Sequence, residues 1–320
     1  MYLRRLLICS FALLFVFVLG CGTGLDSTSS GSSDSTDEEI IKGAVDNTYF
    51  PLFSTGVVED DTGESAGGAV TLPVNEDAVE DDSIPLWFRR VHVTSRDISV
   101  HIEGDTADVS VTTDIEGDFL IDTDGDFEFG RKEIRATAVR YATFQRDYDF
   151  PGRHWRLSSI SPVEINLQDE ENRTISIKSV KAYVDGELRW EVYDYDPATL
   201  FKVPSELPRF APGEEVVVTA DIENLNSDGS ERGSYVYLHY TTHEHRRGMA
   251  NHGSRRLMYD DGTHGDETAG DGIFTGTYII GDAMGYHHAA VDVLDKEMFS
   301  DETTQNYNSM AWAMPYVVNK

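Results

Sequence analysis

Cysteine is almost absent from this sequence: 320 residues contain two, Cys9 and Cys21. With both thiols near the N-terminus, no disulfide can staple a fold downstream, which must rely on core burial or bound ions. Basic residues are scarce as well, 26 Lys and Arg against 57 Asp and Glu, for a formal net charge of −31. Nucleic-acid binding needs clustered cations that release phosphate counterions, so this balance argues against it. It argues equally against electrostatic docking on anionic lipid, and favours a well-solvated, cation-attracting surface. Long apolar runs are missing, with one exception at Leu6–Leu19. No His-Glu-x-x-His string or other catalytic constellation is visible. What remains is a chain that is 40 % hydrophobic, enough for real cores. At roughly 100–200 residues per domain its length suggests two.

The exception reads as an export signal. Arg4 and Arg5 precede 14 almost wholly apolar residues, LLICSFALLFVFVL. That is short of the roughly 20 residues needed to span a bilayer. Val18-Leu19-Gly20-Cys21 follows and resembles the lipobox of bacterial lipoproteins, with Leu19 a departure from the usual small residue. The resemblance implies cleavage after Gly20 and lipidation of Cys21, and so a membrane partner reached through the N-terminal lipid. Gly22 lacks the Asp that retains some lipoproteins at the inner membrane, which tilts the expected address to the outer membrane of a bacterial envelope. Residues 21–37 then form the lipidated Cys and a Ser/Gly-rich tether that cannot bury enough surface to fold, with a reach of about 20–25 Å.

Residues 38–168 are expected to form a first domain. A helix opens it over Glu38–Phe53, an acidic loop occupies 57–82 with nine carboxylates and no Lys or Arg, and a short helical piece lies near Ile84–Val91. Alternation then signals hairpins turning at Gly104-Asp105 and Asp124-Gly125, a strand over Ile134–Phe144, and strand again over Trp155–Ile165. Helices followed by antiparallel strands read as α+β. Trp87-Phe88-Arg89-Arg90, the stretch Asp97 to Val109, and His154-Trp155-Arg156-Leu157 give this region a resemblance to the NTF2-like fold, a helix-lined curved antiparallel sheet enclosing a conical pocket. Tyr141 is a candidate lining residue or ordinary packing. Asp122, Asp124, Asp126 and Glu133 have the spacing of an EF-hand loop, but Phe127 stands where that loop needs Gly. A hairpin connection explains them better.

Residues 172–320 are expected to form an all-β sandwich. Short strands recur around Ile175–Val184, Leu188–Val192, Val216–Ile222 and Tyr235–Tyr240, with a turn at Asp185-Gly186. Pro212-Gly213-Glu214-Glu215-Val216 resembles the opening of an Ig-like module. The string Asp260-Asp261-Gly262 through Gly265-Asp266 to Ala269-Gly270-Asp271-Gly272-Ile273-Phe274 resembles the DDGxxGDxxAGDG signature of Ig-like modules in choice-of-anchor-type bacterial proteins. Asp260, Asp261, Asp266 and Asp271 offer hard oxygen ligands suited to Ca²⁺. The same residues also suit a tight loop whose Asp side chains take local backbone N–H groups. Seven of the ten histidines fall between His239 and His288, and His243-x-His245 is a half-site for a transition metal. No cofactor is required by any of this, and calcium is a possible one. The sequence therefore points to a non-enzymatic binding or structural role at the envelope with an unknown protein or envelope partner. The alternatives are an NTF2-like small-molecule or enzymatic domain and a calcium-stabilised adhesion-type module.

Overall fold

The computed structural model describes residues 31–55, 84–148, 155–193, 199–240 and 254–320. Cys21, the acidic loop 57–82, and His243 and His245 lie outside them. No described helix is long and apolar enough to cross a membrane.

Strand dominates because β-branched and aromatic residues alternate with polar ones over most of the described chain. β1 (Leu86–Glu103), β2 (Thr106–Asp122) and β3 (Gly130–Arg146) form a long antiparallel ribbon. Gly104, at φ +61°, makes the first turn. A register shift between Val93 and Ser95 marks a bulge in β1. Before it the odd-numbered Trp87, Arg89 and Val91 face inward; after it the even-numbered Ile98, Val100 and Ile102 do. The bulge thus lets one strand serve two cores. Gly117 sits opposite Val91, and a Cβ there would meet the Arg90 carbonyl oxygen at 2.1 Å.

β3 continues to β4 (Trp155–Ile160) and β5 (Val163–Leu167). β5 pairs in turn with β15 (Ser309–Val318), the last strand of the chain. β15 adds β14 (Gly285–Asp295), then β11 (Ser234–Tyr240) and β12 (Ser254–Met258). The main sheet therefore runs β1-β2-β3-β5-β15-β14-β11-β12, across the polar joint at 168–172. Short β8 (Phe201–Lys202) and β9 (Arg209–Phe210) extend it beside β4 and β15. A second sheet holds β13 (Ile273–Ile279), β10 (Glu215–Asn224), β6 (Ile175–Val184) and β7 (Glu187–Tyr193) in that order. Asp185 and Gly186, both at positive φ, close the β6–β7 hairpin.

Both faces of the β11–β14–β15 segment are buried. Leu238, Val291, Val293, Trp312 and Met314 pack against Val180, Trp190, Val216 and Val218 of the second sheet. On the reverse face, Tyr237, Ala290, Leu294, Ala311 and Ala313 meet Trp87, Phe119, Ile121 and Ile134 of the ribbon. The main sheet thus curls until its first strand lies over its later ones, and the second sheet completes a sandwich-like stack. A third core gathers Ile41, Val45, Leu52 and Phe53 over Val109, Val111, Phe144 and Leu157 at the far end of the ribbon.

These findings correct the expected fold. The first region is not an α+β NTF2-like domain. Its helices are short, α1 (Gly31–Gly43) with a following π turn and α2 (Phe50–Phe53), and they cap one end of a mostly-β structure. The sheet escapes that fold because β5 offers its free edge to β15 and so continues into the C-terminal strands. The helical piece expected near Ile84–Val91 is the start of β1: Trp87, Arg89 and Val91 alternate inward with the period of a strand. The first helix begins at Gly31, within the residues expected to be tether. Asp37 then anchors it to Arg146 at 2.7 Å.

Candidate functional site

The string Asp260–Gly272 joins β12 to β13, and an isolated bridge between Tyr259 and Thr275 pins its base. Asp260 organises it. Its Oδ1 accepts the backbone N–H of Gly270 at 2.7 Å and of Asp271 at 3.1 Å, and its Oδ2 that of Gly272 at 3.1 Å. Gly272 is at φ +82° with the Ile222 carbonyl 3.1 Å from where a Cβ would stand, so only glycine lets the chain close on Asp260 here. Asp266, buried, accepts the Gly262 N–H at 2.7 Å. Asp261 turns the other way, to Thr263 and His264. Those hydrogen bonds, the Thr263 hydroxyl first, hold its carboxyl below the usual range. The imidazole of His264 stacks on Tyr259 with centroids 4.1 Å apart. Of the four expected ligands, Asp260, Asp266 and Asp271 bring carboxylate oxygens within 4.8 Å of one another, and Asp261 does not join them.

Asp122, Asp124 and Asp126 gather in the same way between β2 and β3. Asp122 accepts from Gly125 and Phe127, Asp124 from Asp126, and Asp126 from Glu128. The flanks are strands, and Phe127 takes a positive φ of 65° with its ring exposed. Glu133 stands opposite Asp118 on β3 and engages Arg135, away from the cluster. The hairpin reading of this string matches the geometry.

Beside the Asp260–Asp271 loop, the outward face of the second sheet forms a groove of about 590 Å³. Strand pairing sets its rows. Ile273, Asp221, Ser179 and Tyr193 lie abreast across β13, β10, β6 and β7; Thr275, Thr219, Lys181 and Glu191 form the next row. Glu267, Thr268 and Asp271 of the loop make one wall. On the β6 side, Lys178 is paired to Glu223 at 2.9 Å, and the Lys181 ammonium lies 5.3 Å from the centre of the Tyr193 ring. The Tyr193 hydroxyl donates to Glu191 at 2.7 Å.

A further network of buried polar groups lies elsewhere, and it was not legible in the sequence. Arg89 on β1 reaches Asp292 on β14 through two hydrogen bonds, 2.6 and 3.0 Å. His239 on β11 donates from Nε2 to the same carboxylate at 3.1 Å, and Arg89 Nε donates to the Tyr307 hydroxyl at 2.9 Å. Burial alone would push Asp292 up; the Arg89 guanidinium and the His239 ring overcome it and hold the carboxyl well below the usual range. Trp87 donates to the Tyr237 hydroxyl at 3.2 Å, and Arg255 lies 3.9 Å over the Trp87 ring. Burial pushes the Tyr237 hydroxyl up to about 12. The signal in the sequence was a charged residue inside each of two apolar runs, Arg89 after Trp87-Phe88 and Asp292 within Ala289–Leu294. Around this network the inside of the curl is filled by rings, Trp87 on Phe119 at 5.3 Å and Phe119 on Phe299 at 5.5 Å. Tyr141 is only half-buried, and its backbone N–H donates to Ser161.

A second buried pair joins Arg140 on β3 to His288 on β14. The guanidinium lies 3.1 Å from His288 Nε2, which is also 3.3 Å from the Leu52 carbonyl oxygen, and Nδ1 lies 3.4 Å from the Ser54 hydroxyl. Burial, aided by the Arg140 charge, pulls His288 down to about 3.

No family model matches this chain, and no curated protein and no solved structure matches it.

His288 gives the fold a pH dependence of known sign. The unfolded chain takes up a proton near pH 6.5 that the folded chain refuses until about pH 3. The unfolded state therefore binds more protons across that window, and stability falls as pH falls through it. Between pH 6.5 and 4.5 the loss from this residue is about 2 kcal/mol. Urea unfolding of His288→Gln should show a flatter pH dependence over that range than the parent chain, whatever its stability at pH 7.5. An unchanged slope would mean that His288 is not the group responsible.

Proposed function

We propose that this chain is a lipid-anchored, extracytoplasmic protein of the bacterial envelope, with a non-enzymatic binding role. The observation that carries the reading is the filled interior. Trp87, Phe119 and Phe299 occupy the inside of the curled sheet, and the buried acid–base groups there, Asp292 and His239, are committed to each other and to Arg89. A catalytic acid or base needs reach to a substrate and a pKa near the working pH; a ring-packed core supports a scaffold instead. The sandwich-like layering of the C-terminal strands is compatible with an Ig-like module, although that link is fold-level analogy. The lipobox-like Val18–Cys21 supports the anchor, since cleavage there would leave Cys21 to carry the lipid. In a bacterial host fed labelled palmitate, the full chain should take up label and sediment with membranes, and Cys21→Ser should lose both. Label and sedimentation retained by Cys21→Ser would overturn the anchor.

The convergence of Asp260, Asp266 and Asp271 oxygens within 4.8 Å favours a second reading, a module stabilised by calcium. Such a cluster supplies hard oxygen ligands, which an ion would share with their backbone N–H partners, and an extracytoplasmic site of this kind works at a Kd of about 10⁻⁴–10⁻³ M. An ion that binds only the folded chain must raise its melting temperature. Millimolar Ca²⁺ should do so for the parent and for Asp124→Asn, but not for Asp271→Asn. No shift in the parent would reduce the loop to turn chemistry.

A further inference from the structure

Outside the ring-packed interior, several places gather polar side chains. Lys132 is buried, and its ammonium donates to Asp301 O, Thr304 O and Asn306 Oδ1 at 2.6–2.9 Å. All three of its protons are thereby used, so it is a structural cation within a loop. The depression between Arg90, Arg131, Asp118 and Glu133 is bridged by the Arg131–Asp118 pair. The two aspartate clusters spend their carboxylates on backbone N–H groups. The groove on the second sheet is different, because its floor and walls present three unlike chemistries to one open space.

The floor is the solvent side of a sheet, where an antiparallel sandwich ordinarily carries polar residues. Here, beside Thr219 and Thr275, it also holds Val217 and Ile273, with Tyr183 and Tyr193 toward β6 and β7. Ile273 and Tyr193 are exposed, Tyr193 by 52 %. The two tyrosines stand about four residues apart along the strand direction, roughly 13 Å. One side offers the ammonium groups of Lys178 and Lys181, the other the carboxylates of Asp221, Glu267 and Asp271. A volume of about 590 Å³ lies within the range of small-molecule sites.

We infer that this groove binds a neutral oligosaccharide. A sugar ring has an apolar C–H face and a rim of hydroxyls. The face matches an exposed tyrosine ring and the Val217–Ile273 floor; the hydroxyls donate to the carboxylates and accept from the lysines. Two tyrosines about 13 Å apart suit non-adjacent sugars of one chain, roughly two or three units apart, rather than a single monosaccharide. Other ligands fit less well. An extended peptide binding by strand addition needs a free sheet edge, and the groove lies on the face of β10 and β6, whose edges are both paired. A polyanion would meet the Asp221–Asp271 side, and a polycation would meet the two lysines. The inference rests on the reading of this chain as a binding protein and names the class of ligand for it.

The test is calorimetric titration of the detergent-solubilised full chain with cellotetraose, maltotetraose and chitotetraose, and with tetra-alanine as the peptide probe. At least one sugar should bind saturably. Tyr193→Ala and Asp221→Asn, both on the solvent side of the sheet, should each weaken it about tenfold while leaving the melting temperature unchanged. The inference is overturned if no sugar binds at about 10 mM, if both variants bind as the parent does, or if only the peptide binds. A failure here, with Cys21→Ser still released from the membrane, removes the sugar and leaves the anchored reading standing.

Discussion

A carboxylate sealed between stacked layers sets the terms for the rest of this structure. Asp292 projects from β14 into the closed interior of the curled sheet, 1 % exposed. An isolated charge in such a place costs several kcal/mol, so the position is tenable only with a partner of fixed geometry. Arg89 is that partner, and it comes from β1, at the other end of the sheet order. The pair therefore fixes how far the sheet curls. A guanidinium donating to two carboxylate oxygens tolerates little sliding, so β1 has one seat over β14. The bulge at Val93–Ser95 follows from the same requirement. It lets β1 turn Arg89 and Trp87 into one core, and Ile98, Val100 and Ile102 into another.

How much of this was legible in the sequence depended on the range of the interaction. Local signals carried. The turn at Gly104 and the one at Asp185-Gly186 lie where positive φ is needed, and the alternation of Ala107, Val109 and Val111 marks a strand. The aspartate string at 260–271 was legible as a loop ordered by its own side chains, because its partners are at most twelve residues away. Long-range pairing was not legible. Nothing in Val163–Leu167 announces that its edge will meet Ser309–Val318, and that single pairing converts an expected α+β domain into part of a larger sheet. The start of β1 was misread for a related reason: Trp87, Arg89 and Val91 are too few residues to separate a strand from a helical turn until their partners are known. The buried network was missed because Arg89 and Asp292 are 203 residues apart.

The division of labour between inside and outside bears on function. Inside the curl, Asp292 is paired with Arg89 and His239 and rings fill the space, so that interior resists change. Outside, the second sheet turns tyrosines, lysines and acids to solvent beside a loop held closed by Asp260. A rigid loop next to a preformed groove lowers the ordering cost of binding. The formal net charge of −31 favours a well-solvated surface.

Arg89 and Asp292 depend on each other for the curl of the main sheet. A double-mutant cycle in urea, with Arg89→Met, Asp292→Leu and the combined variant, measures that dependence directly. Each single change, by stranding a buried charge, should cost about 3–5 kcal/mol, and the double variant much less than their sum. Single effects that simply add would contradict it, and would place the determinant of the curl in ring packing alone.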